Sequence, residues 1–191
     1  SERNQFPLEQ SNLYTTTTNF YFYGQWQAPQ IRLNIILGLS YDDLTLRNSL
    51  FENTIERDHV NPKIGIVWSP LSGTTLRAAA FNSVKRPFIG GQTIEPTQVA
   101  GFNQFFSGFD TLYGDQDGTV SKRIGAAIDQ TLSSTAMMGV EFTSRKLSVP
   151  SLTEDRDFDW KEKTANAYFY KTMTSTVRQH ALLGWNAAAS V

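Results

Sequence analysis

Apolar residues return at every second position along this chain, and few other patterns narrow a fold so far. Side chains of a strand point alternately to opposite faces, so an alternating run makes a strand with one greasy face and one polar face. In residues 31–47, Ile31, Leu33, Ile35, Leu37, Leu39 and Tyr41 share one parity, whereas Arg32, Asn34, Gly38, Ser40 and Asp42 share the other. Val120, Ile124, Ala126, Ile128 and Leu132 oppose Ser121, Arg123, Gly125, Asp129 and Thr131 in the same way. Ala136, Met138, Val140 and Phe142 oppose Thr135, Gly139, Glu141, Thr143 and Arg145, and the stretch from Val177 to Val191 repeats the pattern. A helix would bring its apolar residues back every three or four positions instead. Eight such stretches predict an all-β antiparallel up-and-down meander of about eight strands.

The connections alternate in length. Short ones fall at residues 28–30, 70–73, 133–134 and 174–176, and long ones at 48–59, 87–118 and 148–159. Tight turns at one edge and long loops at the other are the layout of an outer-membrane β-barrel wall. Several stretches exceed the about 9–11 tilted residues that cross a bilayer, which suits strands continuing beyond it. Tyr21, Tyr23, Trp26, Tyr41, Trp68, Trp160, Tyr168, Tyr170 and Trp185 sit mostly near stretch ends, where an aromatic girdle is expected. No run of about 18 apolar residues predicts a membrane helix. The mean hydropathy of −0.33 is what an alternating wall gives. Residues 1–191 are expected to form a single partial barrel domain, a segment of a larger transmembrane barrel cut at both ends. A soluble β-sandwich is the structural alternative for the same alternation.

Residues 61–70, Asn-Pro-Lys-Ile-Gly-Ile-Val-Trp-Ser-Pro, followed after a short turn by Thr-Thr-Leu-Arg-Ala-Ala-Ala-Phe at 74–81, resemble a hairpin common in barrels of TonB-dependent receptors. The continuation at 85–106, Lys-Arg-Pro-Phe-Ile-Gly-Gly-Gln-Thr-Ile-Glu-Pro-Thr-Gln-Val-Ala-Gly-Phe-Asn-Gln-Phe-Phe, is similar to the C-terminal barrel of such bacterial outer-membrane proteins, some of which carry tetratricopeptide repeats upstream. The resemblance is good over about residues 60–150. It implies a Gram-negative outer membrane, a transport role and no enzymatic activity. The implied partners are outer-membrane lipid, an unknown solute, and either a periplasmic energy-coupling protein or an upstream repeat domain. The plug domain, the coupling box and a terminal aromatic residue are missing from these residues. A passive porin, or a barrel that anchors or exports for an upstream repeat domain, therefore stays open beside energy-coupled uptake.

Composition excludes more than it assigns. Seventeen basic against 18 acidic residues offer no broad basic surface for nucleic acid. The absence of cysteine removes disulfides and thiolate metal sites. The two histidines, His59 and His180, form no zinc-binding spacing, and no nucleophile elbow, phosphate loop or dinucleotide fingerprint appears. No cofactor is expected. Asp42 and Asp43 near His59 could imitate a hydrolase site at a barrel mouth, but read better as a strand end. Asp115, Asp117 and Gly118 read as a turn rather than a calcium loop.

What remains is a lumen. Arg32, Arg77, Arg123, Asp129, Glu141, Arg145, Arg178 and His180 fall on the parity opposite the apolar rows and are expected to line it. Arginine outnumbers acid there by five to two, which would favour anionic or polyhydroxylated solutes unless the charges are paired across the wall. Lys122 sits on the apolar parity and is expected to snorkel to the headgroups. The segment 87–118 is too long for a simple hairpin loop. It is expected to fold into the mouth as a constriction, with Gln92, Glu95, Gln98, Asn103 and Gln104 meeting solute beside Phe102, Phe105 and Phe106. Alternatively, residues 97–106 read as a further strand, or the loop packs on an upstream plug.

Overall fold

The computed structural model describes residues 13–48, 53–87, 95–104, 115–151 and 156–172, and the backbone of 180–190. Eight long strands follow one another as an antiparallel meander: β1 (Leu13–Ala28), β2 (Leu33–Asn48), β3 (Asn53–Leu71), β4 (Thr74–Val84), β7 (Val120–Ser133), β8 (Ala136–Pro150), β9 (Asp157–Thr172) and β10 (His180–Ser190). A two-strand hairpin, β5 (Gln98–Val99) and β6 (Phe102–Asn103), interrupts the meander between β4 and β7. No described residue is in an α-helix.

One rim is closed by tight turns. A single 3-10 turn (Pro29–Ile31) joins β1 to β2, with Arg32 in the left-handed region at φ 52°. Gly73 at φ 80° closes the β3–β4 turn, where Thr131 donates its N–H to the Gly73 carbonyl. Residues 174–176, expected as the fourth short turn, lie outside the described residues.

The opposite rim differs from expectation. Residues 53–59 continue the β2–β3 ladder, with Asp42 opposite His59 and Asn48 opposite Asn53, so most of the expected 48–59 loop is strand. Similarly β8 runs to Pro150 opposite Asp157, leaving only 151–156 between β8 and β9. The cause is a change in the outward residues. Beyond Tyr41 and Val60 they become Asp43, Thr45, Asp58 and Glu56, so pairing continues while the apolar alternation that marks it stops.

Strict parity gives the sheet two unlike faces. The outward face carries Phe22, Leu37, Leu39, Ile64, Ile66, Ile124, Ile128 and Phe142, all exposed. Register places them side by side: Leu37 opposite Ile64, Ile64 opposite Ala80, Ala80 opposite Ile124, and Ala126 opposite Phe142. On β2 the band runs from Leu33 to Tyr41, close to the length that crosses a bilayer at a tilt. Trp26 and Trp68 stand on this face near the turn rim and Tyr41 near the other. Tyr21, Tyr23 and Tyr168 have the opposite parity and leave the expected girdle for the polar face. Trp160 and Tyr170 share that opposite parity, and the side chain of Trp185 lies outside the described residues.

The polar face is the inside of a curl. Arg57 on β3 meets Asp157 on β9 at 2.5 Å. Four strand spacings separate them in the sheet order, about 19 Å if it were flat. That gap exceeds the reach of the two side chains, so the sheet must roll toward this face. Gly118 fills the hollow, its carbonyl accepting from Arg57 Nε at 3.0 Å.

Candidate functional site

The hairpin of β5 and β6 lies on the polar face, and small residues beneath it make the seat. A Cβ on Gly65 would stand 2.8 Å from Val99 and one on Gly125 would stand 2.5 Å from the Phe102 ring, so only glycine permits this approach. Val99, Ala100 and Phe102 are buried against Ala79, Phe81 and Ala127, with Ile36 and Val67 at the border. Arg77 caps the seat, its guanidinium 5.2 Å from the Phe102 ring centre. Hydrogen bonds from Ser83 Oγ to the Gln104 carbonyl (3.1 Å) and from Arg123 to the Asn103 carbonyl (2.9 Å) fix the hairpin backbone.

Charged clusters flank it. At its first residue, Glu95 accepts from Tyr23 Oη at 2.9 Å and pairs with Arg86 at 2.8 Å and Lys63 at 3.4 Å. Gln104 donates from Nε2 to the same Tyr23 oxygen at 2.9 Å. Asp42 joins them through Arg86, 3.4 Å away, and is held by Asn19 and Asn61 at 2.7 Å each. Glu95 and Lys63 side chains are 0% and 1% exposed, so this pair is fully desolvated. Such a pair requires nearly complete hydrogen bonding to persist.

On the turn side, Arg77 pairs with Asp129 at 2.6 Å and with Glu141 at 3.6 Å, and Arg123 reaches Glu141 at 3.9 Å. Tyr168 reaches across β8 to donate to Asp129; Gly139 lies beneath its ring, where any Cβ would collide. Nearer the loop rim, Arg145 pairs with Asp115 at 2.7 Å and Glu162 at 2.6 Å. Leu44, Leu46 and Ile55, which fall on the parity where alternation predicts polar residues, make a second apolar cluster at that end with Val84, which has the apolar parity of β4.

Of the residues expected to line a lumen, Arg77, Arg123, Asp129, Glu141 and Arg145 lie together on the curled face. Arg32 does not: it sits exposed in the turn before β2 begins. The side chain of His180 and all of Arg178 fall outside the described residues. Glu95, Gln98, Phe102, Asn103 and Gln104 belong to the seated hairpin, Gln98 and Asn103 bonding each other at 2.8 Å on its exposed side. Gln92, Phe105 and Phe106 lie outside the described residues. The alternative reading of 97–106 as a strand holds for two short strands only.

The expected arginine excess is corrected. Among the described residues the ion pairs of this face join six cations, Arg57, Lys63, Arg77, Arg86, Arg123 and Arg145, to seven carboxylates, Asp42, Glu95, Asp115, Asp129, Glu141, Asp157 and Glu162. Partners from the loops and from β9 balance the arginines. Asp42 and Asp43 point to opposite faces, so no dyad forms beside His59. Asp117 and Gly118 make a tight turn closed by the Thr119 N–H on the Gln116 carbonyl, with Gly118 at φ 85°. Among the described residues no group of three or more His, Asp or Glu could hold a metal ion.

The family model described as TonB dependent receptor-like, beta-barrel, matches residues 3–127, more than half the chain. The chain belongs to that family. Comparison with curated proteins and with solved structures finds no match. TonB dependent receptor-like barrels are outer-membrane proteins, and an exposed apolar band is what the wall of such a barrel presents. The matched span holds β1 to β4 and the seated hairpin, and β8 to β10 continue the same ladder beyond it.

Proposed function

We propose that this chain forms part of a bacterial outer-membrane barrel that moves a polar solute along its curled face, and that the hairpin of residues 95–104 narrows the passage. The observation that carries the reading is the seating itself. A loop segment leaves the rim, crosses to the polar face and is buried over Gly65 and Gly125. A loop serving only to connect β4 to β7 would gain nothing from standing in the path. With six cations paired to seven carboxylates among the described residues, this face carries no excess of positive charge, so a neutral polar solute, met by amides such as Gln98 and Asn103, suits it better than an anion.

Outer-membrane lipid covers the apolar band in this reading, and a periplasmic energy-coupling protein is the partner at the turn rim. The free edges of β1 and β10 need pairing within a bilayer, because unsatisfied backbone groups are too costly there. The test is single-channel conductance of the intact protein with and without residues 92–106. Deletion is expected to raise conductance. Unchanged conductance would remove the constriction from the account, and no conductance or solute flux in either protein would remove transport.

A further inference from the structure

Four lysines stand together on the outward face at the loop rim. Lys122 on β7, Lys146 on β8 and Lys161 on β9 occupy one register row, each directly opposite the next. Lys163 stands two residues from Lys161 on the same face, opposite Ser144. All four are exposed. Directly opposed side chains on one face have Cβ atoms about 4.5–5.5 Å apart, and like charges so placed weaken the pairing. On the curled face the sheet answers its buried cations with carboxylates. Here it does not: among the described residues none of the four lysines enters an ion pair. The acid nearest in register, Asp159, lies one step further toward the rim, opposite Ser148.

The surroundings say what kind of anion would fit. Two residues toward the turn rim from Lys122, Ser144 and Lys163 come Ile124, Phe142 and Ala165, the edge of the apolar band. Cations thus stop where the hydrocarbon-facing surface begins, the arrangement that an amphiphile with an anionic head requires. Lysine ammonium groups are compact point charges on flexible stems, suited to phosphate without demanding one bidentate geometry.

We propose that Lys122, Lys146, Lys161 and Lys163 form a binding site for the phosphate groups of an anionic lipid in the leaflet at the loop rim, whose acyl chains lie along Ile124 and Phe142. The site rests on the membrane placement of the apolar band and is independent of whether the barrel transports a solute. A bound phosphate would also relieve the repulsion within the row, so lipid binding should stabilise the sheet.

Native mass spectrometry of the intact protein in detergent, titrated with diphosphorylated lipid A, tests this. The variant with K122Q, K146Q, K161Q and K163Q together is expected to bind a few hundredfold more weakly, each lysine near an anionic surface contributing about fivefold. Lys171→Gln serves as the control, because Lys171 is exposed on the same face of β9 at the turn rim, opposite Ala136. It should bind as the unaltered protein does. Lys146→Gln alone, at the centre of the row, should weaken binding about fivefold, which keeps the test decisive if the fourfold variant folds poorly. Equal binding by Lys146→Gln and Lys171→Gln would overturn the site. Displacement of the lipid by inorganic phosphate, or equal binding of the dephosphorylated lipid, would overturn its assignment to a lipid phosphate.

Discussion

The two faces of one sheet solve opposite problems with the same backbone. On the outward face Leu37 and Leu39, at the middle of the row from Leu33 to Tyr41, stay about half exposed beside their neighbours in the ladder, and the order of this surface comes from register. On the curled face Phe102, Glu95 and Lys63 are buried, yet the packing there is a mosaic of ion pairs around a small apolar seat. The outward face asks of a residue only that it be apolar. The curled face can accept only sets of residues that satisfy one another. Substitutions should therefore act by depth in the band on one face and by lost partners on the other.

Removing Glu95 should have the largest effect. Glu95→Ala strands Lys63 in a desolvated position and removes the acceptor of Tyr23. Breaking a buried pair from one side costs about 3–5 kcal/mol. Hydrogen exchange should show loss of protection at residues 95–104 while the β2–β3 ladder keeps its own. Uniform loss across the sheet would mean that the hairpin holds up the wall and is no insert.

Leu37→Arg tests the other face. Leu37 is 55% exposed in the middle of the band, where arginine facing hydrocarbon costs about 2–4 kcal/mol. Asp43→Arg, three outward positions nearer the loop rim on the same strand, should cost about 0–1 kcal/mol. Urea unfolding from lipid vesicles, followed by tryptophan fluorescence, reads both. Equal costs at the two positions would mean that no hydrocarbon boundary lies between them.

Two glycines sharpen the contrast at smaller scale. Gly125→Ala places a methyl 2.5 Å from the Phe102 ring and should cost about 1–3 kcal/mol through overpacking. Gly24, which shares the outward parity of β1, has its nearest neighbour 4.0 Å away, so Gly24→Ala should stay within about 0.5 kcal/mol of the unaltered protein. The same unfolding measurement separates them. If both are neutral, the hairpin is not seated over Gly125.

The outward face was legible in the sequence because it obeys one local rule. Ile35, Leu37 and Leu39 announce their face by spacing, and the ladders follow from it. The curled face obeys no local rule. Glu95 finds Tyr23, 72 residues away, and Arg145 finds Asp115 and Glu162 from two different segments. Parity showed that Arg77 and Asp129 share a side, but not that each arginine has its acid, so the apparent excess of positive charge misled. Leu44 and Leu46 broke the alternation because they pack with Ile55 and Val84 inside the curl, a contact no spacing announces. Gly65 and Gly125 gave a hint of the seat, and Gly139 of the Tyr168 crossing: glycine inside a strand marks a close approach.

The smallest effect expected concerns a single carboxyl in the connection between β4 and β7. Burial raises the pKa of Asp117 above the ordinary aspartate value, and Lys85 only partly offsets it. A raised value in the folded protein means that the folded state holds the proton more tightly than the unfolded chain. Stability from this group is therefore fully present below the unfolded value of about 3.9 and is lost as pH rises through the raised folded value. Asp117→Asn keeps the size of the side chain in its turn and removes the ionisation. Every other group titrates alike in both proteins, so the difference between their stability–pH curves isolates Asp117. That difference should grow in favour of asparagine as pH rises from about 3.9 and then level off. A flat difference would place Asp117 in water, and the 115–119 connection away from the curled face, where Arg57 and Ile55 hold Gly118.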